Sequence, residues 1–278
     1  FNTAVGNEAL RLNTTGQYNT AVGLSALICN TTGGLNVAVG SFALDANTTA
    51  SNNTAIGYNT LTANTTGTNN TALGQHAGKA ITTSTGNTII GVNALCTHTE
   101  TGYDNTAVGF CALKGSTTAY FNTAIGKSAA VNVTTGSDNI FVGRSSGADA
   151  MLDVTDEDNR AVIGSNVITH AYVKVAWTVV SDLRDKTNFG TVPHGLDFVN
   201  KLKPISFQFK KSREDNTPHG DVRYGFKAQD IMALEGDNPV IIDNENEEAL
   251  KYKGEHLVPV LVNAIKELKA EIELLKNK

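Results

Sequence analysis

Small apolar residues recur at fixed intervals along the first 165 residues. A five-residue motif, most often Asn-Thr-Ala-Val-Gly, repeats every 17 residues, and once after 18. An Ala-Leu pair follows most copies, and a polar Asn-Thr-Thr-Gly turn closes the unit. Such a unit is too short for a helical hairpin and predicts one coil of a parallel β-solenoid carrying two short strands. The motif glycines are Gly6, Gly23, Gly40, Gly57, Gly74, Gly91, Gly109, Gly126 and Gly143.

Each residue type has an expected place in the coil. Alanine points inward and keeps the coil thin, Val or Ile fills the pleat, glycine permits positive φ, and Asn and Thr stack in ladders between coils. A degenerate tenth copy, Asn159 to Gly164, ends the array. Because the Val/Ile and Leu sets cannot all face one thin interior, we expect a second interface between chains.

The pattern changes after the array. Residues 171–177 alternate between apolar and polar side chains and predict a strand. A terminal helix is predicted over residues 256–277, where apolar residues at spacings of three and four form the seam of a short coiled coil. The alternative is a helix that packs only on its own domain. The seam residues are Val258, Leu261, Ile265, Leu268, Ile272 and Leu275.

Charge is distributed unevenly between the two parts of the chain. Residues 1–165 hold 6 Lys/Arg and 10 Asp/Glu, which leaves 16 of the 22 bases and 17 of the 27 acids for residues 166–278. We therefore predict a repetitive β-roll domain over 1–165, a junction strand over 166–180 and an α+β domain over 181–278. Neither a basic stripe nor an apolar run of membrane-spanning length occurs, so nucleic-acid binding and membrane insertion are not expected.

Ser181 and Lys186 are the candidate catalytic pair. A serine hydroxyl becomes a nucleophile when a base removes its proton, and a lysine can be that base when burial or nearby charge lowers its pKa. Five residues apart, the two would not share one face of a regular helix, so we expect Ser181 on an extended or turn segment. The competing interpretation of Ser181-Asp182-Leu183-Arg184 is a helix N-cap with an acid in the first turn.

Two parts of the chain resemble known families. The Asn-x-Ala-Val/Ile-Gly repeats are similar to the heads of trimeric autotransporter adhesins and to segments of phage tail fibres. Three later segments, in order, resemble the endosialidase-type intramolecular chaperone domain found at the C-termini of phage tail spikes and fibres. These are the Ser-Asp-x-Arg-x-Lys motif at 181–186, a Leu-Lys-Pro stretch within 195–207 and a Gly-Phe-x-Ala-Gln element within 224–231.

The resemblance to the chaperone family implies a homotrimer and a self-cleaving serine peptidase that acts once. It implies a scissile bond between Val180 and Ser181, with Ser181 as nucleophile and Lys186 as base. We further expect Asp182 and Arg184 to orient the pair or to link subunits. His194 and His219 are possible accessory groups. No cofactor and no metal are implied.

The resulting expectation is a tail fibre or spike segment of a bacteriophage. Its chaperone would drive trimerisation and folding of the β-roll and then release itself. The fibre would be assembled in the host cytoplasm, reside in the virion, and attach to a host receptor or glycan. One alternative is a trimeric adhesin or receptor-binding protein whose tip trimerises but never cuts. Another is a glycan-cleaving enzyme, which would require a pair of carboxylates presented at one place.

Overall fold

The computed structural model describes residues 1–98, 102–149, 152–174 and 181–277. These form two compact units, Phe1–Ile168 and Thr169–Lys278. The first is a parallel β-solenoid and the second is a small α+β domain with a long C-terminal helix. Each unit contains a hydrophobic core of its own.

Ten short strands of the first unit form one parallel sheet, in which every strand pairs with the strand of the next coil. The pairing keeps identical repeat positions together, as when Ala21 pairs with Ala4 and Ala38. The predicted parallel solenoid is thus confirmed. Its strands are β1 (Thr3–Val5), β2 (Thr20–Val22), β3 (Val37–Val39), β4 (Thr54–Ile56), β5 (Thr71–Leu73), β6 (Thr88–Ile90), β7 (Thr106–Val108), β8 (Thr123–Ile125), β9 (Ile140–Val142) and β12 (Ala161–Ile163), with the antiparallel pair β10 (Ala148–Asp149) and β11 (Leu152–Asp153) between the last two.

The regular coils from β1 to β8 contain one strand each among the described residues, so the expectation of two strands per coil was wrong. The leucine of the Ala-Leu pair has a left-handed backbone, with φ of 53° at Leu27 and 51° at Leu44. A residue in this region cannot continue a strand. Both leucines are fully buried at a turn, as are the strand-centre alanines such as Ala38. The core is therefore built from strand alanines and turn leucines.

Buried asparagines at the start of each strand form a continuous ladder. The Asn36 backbone N–H donates to the Asn19 side-chain oxygen at 3.0 Å, and the Asn36 amide donates to the Ala50 carbonyl at 2.9 Å. The Asn36 oxygen in turn accepts the Asn53 backbone N–H at 3.0 Å. Each side chain therefore satisfies backbone groups of its neighbouring coils, which a fully buried amide requires.

A second asparagine ladder ends in the middle of the array. The Asn30 amide donates to Asn13 at 2.7 Å, Asn47 to Asn30 at 2.8 Å and Asn64 to Asn47 at 3.2 Å. Ile81 follows at the same position of the next coil, so the Asn64 oxygen is buried without a partner among the described residues. These asparagines belong to Asn-x-Thr sequons, and their burial in a ladder explains their fixed place without glycosylation.

Within its described residues, the second unit packs three α-helices and two small antiparallel sheets. Phe198, Ile231, Ile241, Ile242, Leu257 and Val260 form its buried core. The helices are α1 (Leu196–Lys201), α2 (Ala228–Glu235) and α3 (Leu257–Lys276). A 3₁₀ turn at Leu183–Asp185 comes before α1, and another at Gly254–His256 leads directly into α3. The strand pairs are β13 (Ile205–Lys210) with β14 (Pro218–Gly225), and β15 (Ile242–Asp243) with β16 (Lys251–Tyr252).

The predicted junction strand lies partly outside the described residues, which exclude 175–180. Its described part, 166–174, adopts no strand. Tyr172 and Val173 are 91% and 54% exposed, so these two described residues of the segment are not packed in a core of the single chain.

Candidate functional site

Ser181 lies immediately before the 3₁₀ turn Leu183–Asp185, and Asp182 is the N-cap of that turn. The Asp182 side chain accepts the Arg184 backbone N–H at 2.8 Å. Carboxylates are favourable at this position because they satisfy an unpaired N–H at the start of a helical turn. Since Asp182 performs the capping, the Ser181 hydroxyl is available for another partner.

That partner is the amine of Lys186. Lys186 ends the turn with an extended backbone, and its Nζ lies 2.5 Å from the Oγ of Ser181, to which it donates a hydrogen bond. A tight turn between residues 181 and 186 thus brings together two side chains that a regular α-helix would separate. Both side chains are exposed in the single chain.

Asp182 and Arg184 pair with each other. The guanidinium donates to the two carboxylate oxygens, Nε at 3.0 Å and Nη2 at 2.6 Å, in a bidentate arrangement. These hydrogen bonds hold the pKa of Asp182 below its usual value and raise that of Arg184. The pair stiffens the turn that carries Ser181 and Lys186.

The remaining predicted site residues are placed as follows. Val180 lies outside the described residues. The His194 ring stacks on Phe198 with centroids 4.3 Å apart, and its backbone carbonyl accepts from Asn263 at 3.3 Å. His219 lies on β14 with its Nε2 buried and without a partner among the described residues. His194 therefore packs on α1 through Phe198, and the Nε2 of His219 is buried on β14; an accessory role for either histidine stays a prediction.

The coiled-coil seam of α3 is exposed in the single chain. Helix α3 packs on its own unit through a different face, with Leu257, Val260 and Ala264 buried. One face of the helix thus packs within its own unit, while the seam lies on another face and its role in a coiled coil stays a prediction. The seam side chains are between 38% and 69% exposed: Val258, Leu261, Ile265, Leu268, Ile272 and Leu275.

Two polar residues of α3 have structural roles that sequence reasoning missed. The Glu267 carboxylate accepts the Leu196 backbone N–H at 2.6 Å and caps α1. The Asn263 amide donates to the Val192 and His194 carbonyls, each at 3.3 Å. Glu267 thus connects α3 to the start of α1, and Asn263 connects α3 to the segment that precedes α1. Their partners lie about 70 residues earlier in the chain, so no local pattern could reveal them.

The fold and the site define a class of protein: a parallel β-solenoid followed by an α+β domain that opens on a serine–lysine pair and ends in a helix with a free apolar seam. Residues 181–239 match the model of the peptidase family described as chaperone of endosialidase. The match begins at Ser181 and includes both later motifs. It supports a trimerisation and folding chaperone role for this part of the chain.

Searches of curated proteins and of solved structures found no match to the chain. In the described part of the chain, no helix has the length and apolar character needed to cross a bilayer. Within the same residues, no group of three or more His, Cys, Asp or Glu side chains is placed to hold a metal ion.

Proposed function

We propose that the chain is a segment of a phage tail fibre whose C-terminal domain trimerises the chain, assists folding of the solenoid, and then cuts itself free before Ser181. The observation that carries the proposal is the 2.5 Å contact between Ser181 Oγ and Lys186 Nζ at the first residues of the matched segment. A nucleophile and its base must be within this reach.

The cleavage would proceed as an intramolecular acyl transfer. Lys186 takes the Ser181 hydroxyl proton while Oγ attacks the carbonyl carbon of Val180. The bond from that carbon to the Ser181 nitrogen breaks, the nitrogen receives a proton, and an ester joins Val180 to Ser181 Oγ. Water then hydrolyses the ester, leaving a carboxylate on Val180 and restoring the hydroxyl. Asp182 and Arg184 hold the turn in shape through their bidentate pair.

Assembly would switch the site on. Lysine becomes a base when burial or neighbouring cations lower its pKa, and both members of the pair are exposed in one chain. We infer that a neighbouring subunit covers the turn in the homotrimer. Cleavage would therefore follow assembly, and the folded fibre could no longer unfold by the route along which it formed.

The exposed seam of α3 supports the homotrimer. Six apolar side chains at coiled-coil spacing remain in water in a single chain, whereas a soluble helix normally buries such a stripe. Parallel solenoids also require aligned chains, and non-local pairing is slow and prone to slip, so an aligning domain has a physical purpose. Attachment to a host receptor or glycan would belong to the mature fibre.

Intact mass under denaturing conditions tests the cleavage. Wild-type chain should split into a fragment ending at Val180 and one beginning at Ser181, whereas Ser181→Ala and Lys186→Ala should remain whole. Lys186→Arg is the matched control, since arginine keeps the charge and the hydrogen bond but does not act as a base. Cleavage in Lys186→Arg would contradict the role of Lys186. Full-length wild-type trimers would favour the alternative of a passive trimerisation tip.

A further inference from the structure

Strand β14 of the second unit contains a bulge. Phe207 of β13 pairs with Arg223, whereas Phe209, two residues later, pairs with His219. Because residues 219 and 223 are four positions apart, β14 has two extra residues in this interval. Gly220 lies in the bulge with φ of 77°, a left-handed value that favours glycine. Bulges bend a strand and redirect its side chains, often beside functional sites.

The first two residues of the second unit, Thr169 and His170, lie against this bulge. The Arg223 guanidinium donates to the Thr169 carbonyl at 2.9 Å. The His170 Nε2 lies 3.1 Å from the Asp221 carboxylate, and its Nδ1 lies 2.8 Å from the Thr169 hydroxyl. One neutral imidazole tautomer serves both contacts, with Nε2–H donating to the carboxylate and Nδ1 accepting from the hydroxyl. We call the Thr169–Arg223 and His170–Asp221 contacts the anchor.

The hairpin itself orients its part of the anchor. The Arg223 guanidinium lies over the Phe209 ring, 5.3 Å from the centroid, in a cation–π contact. The Gln208 side-chain amide donates to the Gly220 carbonyl at 2.8 Å and ties the bulge to β13. A β-carbon added at Gly220 would lie 3.6 Å from the Thr169 methyl carbon, so the glycine stands directly beside the held segment. The bulge therefore offers a prepared surface to the segment that follows the solenoid.

The anchor turns the residues before Ser181 into a closed loop. The anchor and Ser181 belong to the same compact unit, and ten residues, 171–180, connect them. A loop joined at both ends to one body has fewer conformations than a free segment, and the restriction is stronger for a shorter loop. The carbonyl of Val180 is the last group of this loop and the group that Ser181 attacks in the proposed cleavage. Restricting the orientation of a reacting group raises the rate of its reaction.

We propose that the anchor positions the carbonyl of Val180 for attack by Ser181. Asp221 and Arg223 are positioning residues, since they act on the reaction only through the segment that they hold. The inference rests on the self-cleavage of the proposed function and adds residues from outside the Ser181 turn to it. Exposed contacts of this kind contribute little to stability, so loss of the anchor should leave the trimer intact and slow the cut about two- to tenfold.

The rate of cutting within trimers tests the anchor. Full-length chain is made by cell-free translation, trimers are separated by size at successive times, and intact mass gives the cut fraction. Asp221→Ala and Arg223→Ala should each cut about two- to tenfold more slowly than wild type. Their thermal midpoints, compared in a Ser181→Ala background, should be unchanged. Val222→Thr is the matched control, because residue 222 is 64% exposed in the same bulge, and it should cut at the wild-type rate.

Two combinations separate positioning from a general loss of structure. His170→Ala should slow the cut as much as Asp221→Ala, and both changes together should slow it no further, because they remove one contact. Twelve Gly and Ser residues inserted after Val173 should slow the cut about threefold by lengthening the closed loop. The same insertion should have no effect when Asp221→Ala and Arg223→Ala are combined, since the loop is then already open.

Each outcome decides the inference. If wild type and all anchor variants cut at the same rate, the anchor has no part in the reaction and the proposed cleavage stands without it. Equal slowing by the insertion with and without the anchor would also overturn the inference. An anchor variant that forms no trimer would assign these contacts to folding instead of positioning. If wild-type trimers remain whole, the inference and the proposed cleavage fail together.

Discussion

The ring of Phe141 fills the space in front of Gly147, so that a β-carbon added at residue 147 would overlap the ring. Phe141 stands at the strand centre, where most coils have alanine, and Gly147 stands at the turn, where most coils have leucine. The large and small side chains are thus exchanged between two positions of one coil. The interior keeps its volume while the repeat departs from its consensus.

Restoring only one consensus residue of this pair should destabilise the solenoid. Gly147→Leu overpacks the coil and should cost about 2 kcal/mol, and Phe141→Ala leaves a cavity and should cost about 4 kcal/mol. The double variant should be more stable than Phe141→Ala alone. Denaturant unfolding at fixed chain concentration measures all three, and a double variant that loses the sum of both single effects would show that the two sites are independent.

Sequence reasoning identified the coil and the solenoid because the repeat shows them directly. It missed the left-handed leucines, since a Leu such as Leu27 is normally read as a helix or strand former, and φ of 53° is sustained only by the surrounding coils. At the site, the residue types of Ser181 and Lys186 were visible, whereas the capping of α1 by Glu267 depends on a contact between residues 71 apart in the chain.

The asparagine ladder should tolerate no charge. Asn36→Asp preserves the shape of the side chain but removes the donor to the Ala50 carbonyl and places a carboxylate at a fully buried position. We therefore expect the free energy of unfolding to fall by at least about 3 kcal/mol. Asn52→Asp is the matched control, because residue 52 is exposed and aspartate occupies the same repeat position at Asp104 and Asp138. Unfolding midpoints compare the two, and equal midpoints would argue against the ladder.

His98 should make the solenoid sensitive to acid. The side chain is fully buried at the repeat position that Asn64 and Ile81 occupy in the two preceding coils. Its Nδ1 lies 3.1 Å from the Ser116 hydroxyl, and burial lowers the pKa of the imidazole. The folded state therefore binds fewer protons than the unfolded state, and stability falls as pH decreases through the unfolded pKa of about 6.5. Thermal midpoints between neutral and mildly acidic pH should fall less in His98→Asn than in wild type.

The control for this pH dependence is His76→Asn. His76 is half-buried at a repeat position where Asn59 and Asn93 occur in other coils, so the substitution is compatible with the fold. It should leave the acid sensitivity unchanged. If His98→Asn and wild type lose the same stability over this pH range, another group is responsible.

Cleavage should depend on the seam of α3 although the seam belongs to a different element from Ser181. In one chain the Ser181–Lys186 pair is already in contact but exposed, so contact alone does not provide the burial that makes lysine a base. Leu268→Glu combined with Ile272→Glu places carboxylates in the seam, where three copies would bring them together. These variants should remain monomeric by light scattering and uncut by intact mass.

Lys266→Gln combined with Glu271→Gln is the matched control for the seam variants. It changes two residues of the same helix outside the seam, and it should leave both assembly and cleavage intact. The two measurements separate the possible causes, because a seam variant that stays monomeric yet cuts at Val180 would show that one chain suffices for the chemistry. In that case the trimer would serve folding alone, and the coupling of cleavage to assembly would have to be abandoned.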